Sequence, residues 1–535
     1  DAALQAWLEA ARRAYAYLFF TARTPGERAF ENRQTQVRDY YNYAVQHVVE
    51  QVFARWRAAP PAEGGRIEVA GWQVAPDLSG FRLPGGTQVP EDVFAATTLR
   101  FDGLRSTYRR DGFGAELVAK VSPGAVGDPT ALPEQQEASP PGGNRDHGSF
   151  SEMPYAPATA LLSFDGDSLP ALLASRSATL VPYDPYRNQQ VSLHGQRVPL
   201  AANFTAGYGL WLAQSGFARQ SLRSMLGRER GIDRPHLYLM QPYDPDRRIV
   251  LMLHGLASSP EAWVNVANEI MGDEALRQHY QIWQVYYPTN APIALNRADI
   301  EQLVRQTLRH FDPRGQAKAS QDMVLVGHSM GGVIGRLLLS SSGDSVWQAL
   351  TADRRLDGER GRRVRARLSP LLHFEPLPNV DRAIFIAAPH RGTPAAEGKL
   401  GRLVARLVKL PVTLVQRFGD VLQDLAGGDG SADTTPALPT SFDNLRDTDP
   451  FVKATADLPI APGVRYHTIV GKDDDLALAD SSDGVVPYWS AHLDGAESEK
   501  VVRSWHSVQE TPQAILEIRR ILHEQIQAEA APPGR

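Results

Sequence analysis

Cysteine is missing from all 535 residues, which excludes a disulfide framework, a cysteine-ligated zinc site and a cysteine nucleophile. Covalent chemistry would then have to use Ser, Thr, Lys or a carboxylate. Long apolar runs are missing too. The longest early one, AYAYLFFTA at 14–22, follows Arg12 and Arg13 and is far shorter than the roughly 20 residues that span a bilayer. Nor does one sign of charge dominate. The 56 Lys and Arg against 61 Asp and Glu leave a net charge of −5, giving no overall pull toward nucleic acid or an anionic surface.

What is present is a globular composition, 42% hydrophobic and 22% charged, in a chain too long for one ordinary core. At least two domains are therefore expected. Residues 1 to about 57 read as two helices broken at TPGE (24–27). The aromatics Tyr15, Tyr17, Phe19, Phe20, Tyr40, Tyr41 and Tyr43 are expected to pack these helices together rather than to face a membrane or partner. From about 65 to 200 come short β-type runs between Gly/Pro-rich turns: RIEVAGWQVA, AELVAKVS, ATALLSFDG, SATLVPYD and QVSLHGQRVPLA. The stretch 133–154 reads as a loop and 206–227 as a helix.

Beyond about 235 the pattern changes. HLYLMQPYD, RIVLMLHG, IWQVYYP, MVLVG, AIFIAAP and YHTIVG are continuous apolar runs of strand length with helical stretches between most of them. That pattern implies a mostly parallel sheet covered on both faces. The expected division is an accessory region at 1–235 and an α/β domain at 236–535.

Within the α/β half, Gly327-His328-Ser329-Met330-Gly331 follows MVLV and enters the helical GGVIGRLLLS. A G-x-S-x-G match alone is weak, but strand, turn and helix around it are the setting a nucleophilic serine needs. Serine also needs a base and an orienting carboxylate, in the chain order Ser, Asp/Glu, His. His506, between KVVRSW and a helix near Thr511, is preferred as base over His492. For the acid, Asp483 in SSDGVVP competes with Asp473, Asp474 and Asp475 after YHTIVG. Asp483 is preferred, because three adjacent acids are the usual composition of a solvated loop, and Asp474 is the runner-up. Main-chain N–H groups of Leu256, after the strand ending at His254-Gly255, and of Met330 are the expected oxyanion donors.

LHGLASS, GHSMGG, IAAPHRGTPAA and SDGVV, with a histidine 23 residues after its aspartate, together resemble the α/β-hydrolase superfamily, in particular bacterial lipases and esterases and inositol-deacylase-like hydrolases. The resemblance covers about 236–535. It implies an α/β-hydrolase fold with a helical lid insertion, Asp483 as the triad acid, and an oxyanion hole at Leu256 and Met330. Some such lipases hold a structural calcium ion, but its ligands have no match here, and neither a metal nor a cofactor is expected.

The expected lid segment is placed at 395–460 and includes the amphipathic LGRLVARLVKLPVTLVQRFGDVLQDLA (400–426). Its apolar face could cap the serine or simply pack on the core. The stretch 353–368 has seven arginines among Asp353, Asp357 and Glu359 and reads as a solvated helix face. The expected activity is carboxylic ester hydrolysis of lipid-like substrates through an acyl-serine. The alternatives are a transacylase using the same triad and a catalytically vestigial envelope scaffold. An acyl ester or lipid is the expected partner, with peripheral membrane contact and no nucleic acid. The start at Asp1 and the likeness to envelope lipases suggest a periplasmic, lipoprotein-anchored or secreted location.

Overall fold

The computed structural model describes residues 1–59, 65–122, 126, 150–217, 234–352, 358–394 and 443–530. Two compact units emerge. One comprises Asp1–Gly142, Glu152–Gln214 and Met271–Gln278, and the other Gly143–Ser151, Ser215–Ile270 and His279–Arg535. The single boundary expected at 235/236 is thus crossed by two short segments. Among the described residues no helix is long and apolar enough to cross a membrane.

The first unit begins with a helical pair, α1 (Ala2–Phe19) and α2 (Asn32–Ala58), separated by a 3₁₀ turn at Gly26–Arg28. Leu4, Leu8, Ala11, Tyr15 and Leu18 recur at helical spacing on α1 and share a core with Tyr41, Val45, Val48 and Val52 of α2. The aromatic cluster divides. Tyr15, Phe19 and Tyr41 are buried, while Tyr40 and Tyr43 stand in solvent. Tyr41 spends its hydroxyl on the main chain of Leu162, donating to the carbonyl at 2.8 Å and accepting from the N–H at 3.0 Å.

Beside the pair lies a six-stranded sheet in the order Ile67–Val69, Trp72–Pro76, Ser177–Tyr183, Tyr155–Phe164, Ala115–Lys120, Asp92–Ala95. Neighbours are antiparallel except Trp72–Pro76 with Ser177–Tyr183. Two of the β-type runs fold as tight hairpins. Ala70-Gly71 and His194-Gly195 both place two residues at positive φ (49° and 73°, 47° and 72°), the twist that two-residue hairpins require. The helix read at 206–227 is seen as Ala206–Ser215; residues 218–233 lie outside the described ones.

The second unit is built on eight strands: β1 (Phe150–Glu152), β2 (His236–Leu239), β3 (Arg248–Leu253), β4 (Tyr280–Tyr286), β5 (Met323–His328), β6 (Val380–Ile386), β7 (Arg465–Gly471) and β8 (Ser498–Val502). Their order is β1-β2-β4-β3-β5-β6-β7-β8. β2 runs antiparallel to β4, and every pairing from β4 to β8 is parallel. β3 and β5 are buried along their whole length, as expected for strands covered on both faces.

β1 corrects the loop reading of 133–154. Although 133–149 lie outside the described residues, 150–152 form an edge strand. Phe150 packs against Phe311, and Ser151 Oγ lies 2.8 Å from His236 Nε2. Three residues inside a polar stretch are too few for alternation to show in sequence.

Helices of this unit include α3 (Ile293–Phe311), α4 (Met330–Leu338), α5 (Gly358–Leu372) and α6 (Pro512–Ala530). On α5 Val364 is buried, while Arg362, Arg363, Arg365 and Arg367 are exposed, the solvated face the sequence suggested; 353–357 lie outside the described residues. So does most of the expected lid, 395–442, including 400–426. Its remainder forms a 3₁₀ turn at Asp443–Leu445 and a helix at Pro450–Thr455.

Candidate active site

β5 ends at His328, and α4 begins at Met330, so Ser329 is the whole of the turn between them. Its backbone sits at φ 53°, ψ −125°, a region that costs a non-glycine residue on the order of 1–3 kcal/mol. The Ser329 N–H donates to Ile386 O at the end of β6 (2.9 Å), and its carbonyl accepts from Gly332 and Val333. Closeness explains the glycines around it. A Cβ on Gly331 would lie 2.2 Å from the Leu253 carbonyl oxygen, and one on Gly327 would lie 2.5 Å from that of Gly331. The turn is therefore wedged between β3 and its own helix, with the serine hydroxyl held at the carboxyl edge of the sheet.

Two other strand ends bring partners to it. His506 lies in the loop between β8 and α6, with Nε2 2.9 Å from Ser329 Oγ and Nδ1 2.7 Å from Asp483 Oδ2. A carboxylate only accepts, so Nδ1 bears the proton and Nε2 is left as acceptor for the serine hydroxyl. Asp483 is almost fully buried in the segment after β7. Its other oxygen, Oδ1, accepts the N–H groups of Val485 (2.9 Å) and Val486 (2.6 Å). Gly484 has φ 86°, and Gly471, at the end of β7, leaves room for Asp483, since a Cβ there would lie 2.7 Å from the aspartate Cβ. Both glycines were present in IVGK and SDGVV, yet neither spacing disclosed the approach.

The competing candidates face elsewhere. Asp474 does not meet His506. Its Oδ1 accepts from Lys472 Nζ (2.9 Å) and Leu476 N–H, and its Oδ2 from Ser482 N–H (2.7 Å). Lys472 and these amides hold its carboxyl below the ordinary value. It therefore braces the residue before Asp483. Asp473 donates its N–H to Ser482 O, and Asp475 pairs with exposed Arg503. His492 lies against Glu499 (2.7 Å) and Asp494 (3.2 Å), not against the serine.

Gly255, after β3, runs close to the turn: a Cβ there would be 3.0 Å from Ser329 Cβ. The next residue is Leu256. Its N–H and that of Met330 have no acceptor among the described residues, so both are available to an incoming oxygen. The Tyr287 hydroxyl donates to the His254 carbonyl, and Thr289 Oγ1 accepts the Ala257 N–H at 3.3 Å, which fixes this strand end from below. Among the described residues no cluster of His, Cys, Asp or Glu could hold a metal ion.

Several buried polar residues of this unit were passed over by sequence reading. Arg336 on α4 is buried and donates to the carbonyls of Leu458 (3.0 Å), Thr455 (2.8 Å) and His390. Burial lowers its pKa to about 10. Five imidazoles are buried as well, and four of them are shifted. Desolvation holds His254 at about 4, His328 at about 3, His467 at about 4 and His390 well below the ordinary value. These groups stay neutral in the folded chain but protonate in the unfolded one below about pH 6.5, so stability is full above that value and is lost as pH falls toward the folded values. His254, His328 and His467 each contribute on the order of 2 kcal/mol to the loss between pH 7 and pH 5. Urea unfolding should accordingly show a clearly lower midpoint at pH 5, and equal midpoints would contradict the neutral assignment.

A serine in a left-handed turn between the central parallel strand and its helix, at the carboxyl edge of an eight-stranded sheet, defines the α/β-hydrolase architecture. Residues 250–518 match the alpha/beta hydrolase family profile, and the chain belongs to that family. No curated protein matches it. Among solved structures it is similar to the mature lipase of Bacillus licheniformis, at 16% identity and TM-score 0.31 over 54% of this chain and 98% of that one. The Staphylococcus hyicus lipase shows 15% identity and TM-score 0.31 over 54% and 96%. A metagenomic carboxyl esterase shows 15% and 0.28 over 56% and 81%.

Proposed function

We propose that this protein hydrolyses carboxylic esters of lipid-like acyl substrates through an acyl-serine intermediate. The observation behind this reading is the unbroken line Ser329 Oγ, His506 Nε2, His506 Nδ1, Asp483 Oδ2, with steps of 2.9 Å and 2.7 Å on either side of the imidazole. Ser329 Oγ attacks the acyl carbonyl carbon as His506 Nε2 takes its proton. The carbonyl oxygen becomes an oxyanion facing the N–H groups of Leu256 and Met330. Collapse expels the alcohol, which receives the proton from His506, and water then repeats the sequence on the acyl-serine. Asp483 keeps the ring in the required tautomer and stabilises the imidazolium. An apolar acyl group suits the surroundings, where Trp505 beside His506 and Leu476, Leu478 and Trp489 around the Asp483 segment are exposed.

The test is a panel of esters varied in acyl length and head group, with product analysis in the presence and absence of alcohol acceptors. Turnover should favour long-chain or lipid esters, with free acid as product. Preference for short soluble esters would refute the lipid-like part, acyl transfer to the acceptor would make the protein a transacylase, and no turnover of any ester would refute the reading.

A further inference from the structure

The residue before the nucleophile has no part in the steps above, yet it is bonded to the base. His328 Nε2–H donates to the main-chain carbonyl of His506 at 2.9 Å, and the two rings lie 5.1 Å apart. Because a carbonyl only accepts, the proton of a neutral His328 must be on Nε2. Nδ1 is then a bare acceptor, buried and without a partner among the described residues, next to Gly255, where an added Cβ would come within 3.2 Å of it. Leaving such an atom unpaired destabilises the fold, which an apolar side chain here would avoid. Burial first, and the nearby His506 next, keep His328 uncharged. It thus remains a neutral donor while its neighbour gains and loses a proton.

We propose, on the reading of Ser329 and His506 given above, that His328 is a positioning residue that fixes the base relative to the nucleophile through the main chain. His328 and Ser329 are consecutive in one rigid turn, so the backbone that aims Oγ also grips the residue bearing the imidazole. Asp483 controls the rotation of the ring, while His328 controls where the ring is mounted. This hold matters because His506 follows the edge strand β8, in a loop whose main chain is also tied back through the Ser504 N–H to the Lys472 carbonyl at 3.2 Å and whose side chains are anchored by Arg503 on Asp475 and by buried Val508.

The test uses the whole chain and two replacements of similar length. His328→Gln keeps a neutral donor, and His328→Met has none. Fluorophosphonate labelling rates, kcat and KM are measured as a function of pH. His328→Met is expected to lose about 10- to 100-fold in kcat and labelling rate, the scale of a displacement of about 1 Å in a reacting group, with KM nearly unchanged. The acid limb of its pH profile should also move, because the imidazole shifts against Asp483. His328→Gln should recover most of the rate and the original limb.

Wild-type labelling by His328→Met, or equal losses in both variants with unshifted profiles, would overturn the proposal. Should His328→Met fail to fold, His328→Asn, too short to reach the carbonyl, takes its place against His328→Gln, and equal rates would again overturn it. Labelling of Ser329→Ala at the wild-type rate would refute the nucleophile assignment instead, so the two failures are distinguishable.

Discussion

Ser329→Ala is expected to lower ester turnover by about 10⁵- to 10⁶-fold, the scale of removing a nucleophile from a triad that acts as a unit. The fold should survive. Alanine has the same Cβ as serine, so the left-handed turn at φ 53° is no more strained than before, and the N–H bond to Ile386 O involves no side chain. Only the hydroxyl facing His506 Nε2 is lost, and one such bond contributes about 0.5–1.5 kcal/mol net. The N–H groups of Leu256 and Met330 remain, so a substrate analogue should still bind. Circular dichroism, thermal melting, analogue binding and burst-phase kinetics would check these points together. Retained turnover in a folded variant would move the nucleophile to another residue.

Asp483→Asn is expected to cost about 10⁴-fold in kcat with little change in KM. Oδ1 of an asparagine can still accept from Val485 and Val486, so the turn should hold. The other position becomes an NH₂ facing His506 Nδ1, where the aspartate now accepts at 2.7 Å. Two donors cannot face each other. The ring must therefore give up the Nδ1 proton and bear it on Nε2, where it can no longer receive the proton of Ser329. Raising the pH should restore little, because the fault is the tautomer rather than the charge. By contrast, Asp474→Asn, which weakens the ion pair with Lys472 and the brace on Ser482 but touches nothing bonded to His506, should cost far less. Equal losses in the two variants would contradict the assignment of the acid.

Much of this was legible in the chain. The strands β2 to β7 appear as apolar runs because burial on both faces removes the polar alternation that would blur them. Ser329 was legible from the strand before it and the helix after it, and His506 from its place between a strand-like run and a helix. The choice between Asp483 and Asp474 was harder, since both follow β7. It is the turn at Gly484 and the space left by Gly471 that bring Asp483 alone to the imidazole, and such tertiary closeness leaves no spacing to read. For the same reason the bonds of His328 and Arg336 were invisible. Their partners, the carbonyls of His506, Leu458 and Thr455, have no side-chain identity. β1 escaped because its three residues pair with a strand more than 80 positions away.

The order of the strands has a consequence for synthesis. Ser329 lies in the centre of the sheet, but His506, the base proposed for it, follows β8, the last strand in the chain and an edge of the sheet. Ser329 is therefore synthesised 177 residues before the histidine proposed to activate it, and its turn is complete only once β6 supplies the Ile386 carbonyl. On the proposed mechanism, that hydroxyl stays an ordinary alcohol, inert toward esters, until β8 docks. β8 pairs on one side only, so opening it breaks a single ladder. Fraying of a single strand could therefore switch the chemistry off while the core stays folded, and hydrogen exchange along 498–506 would track activity more closely than global melting does.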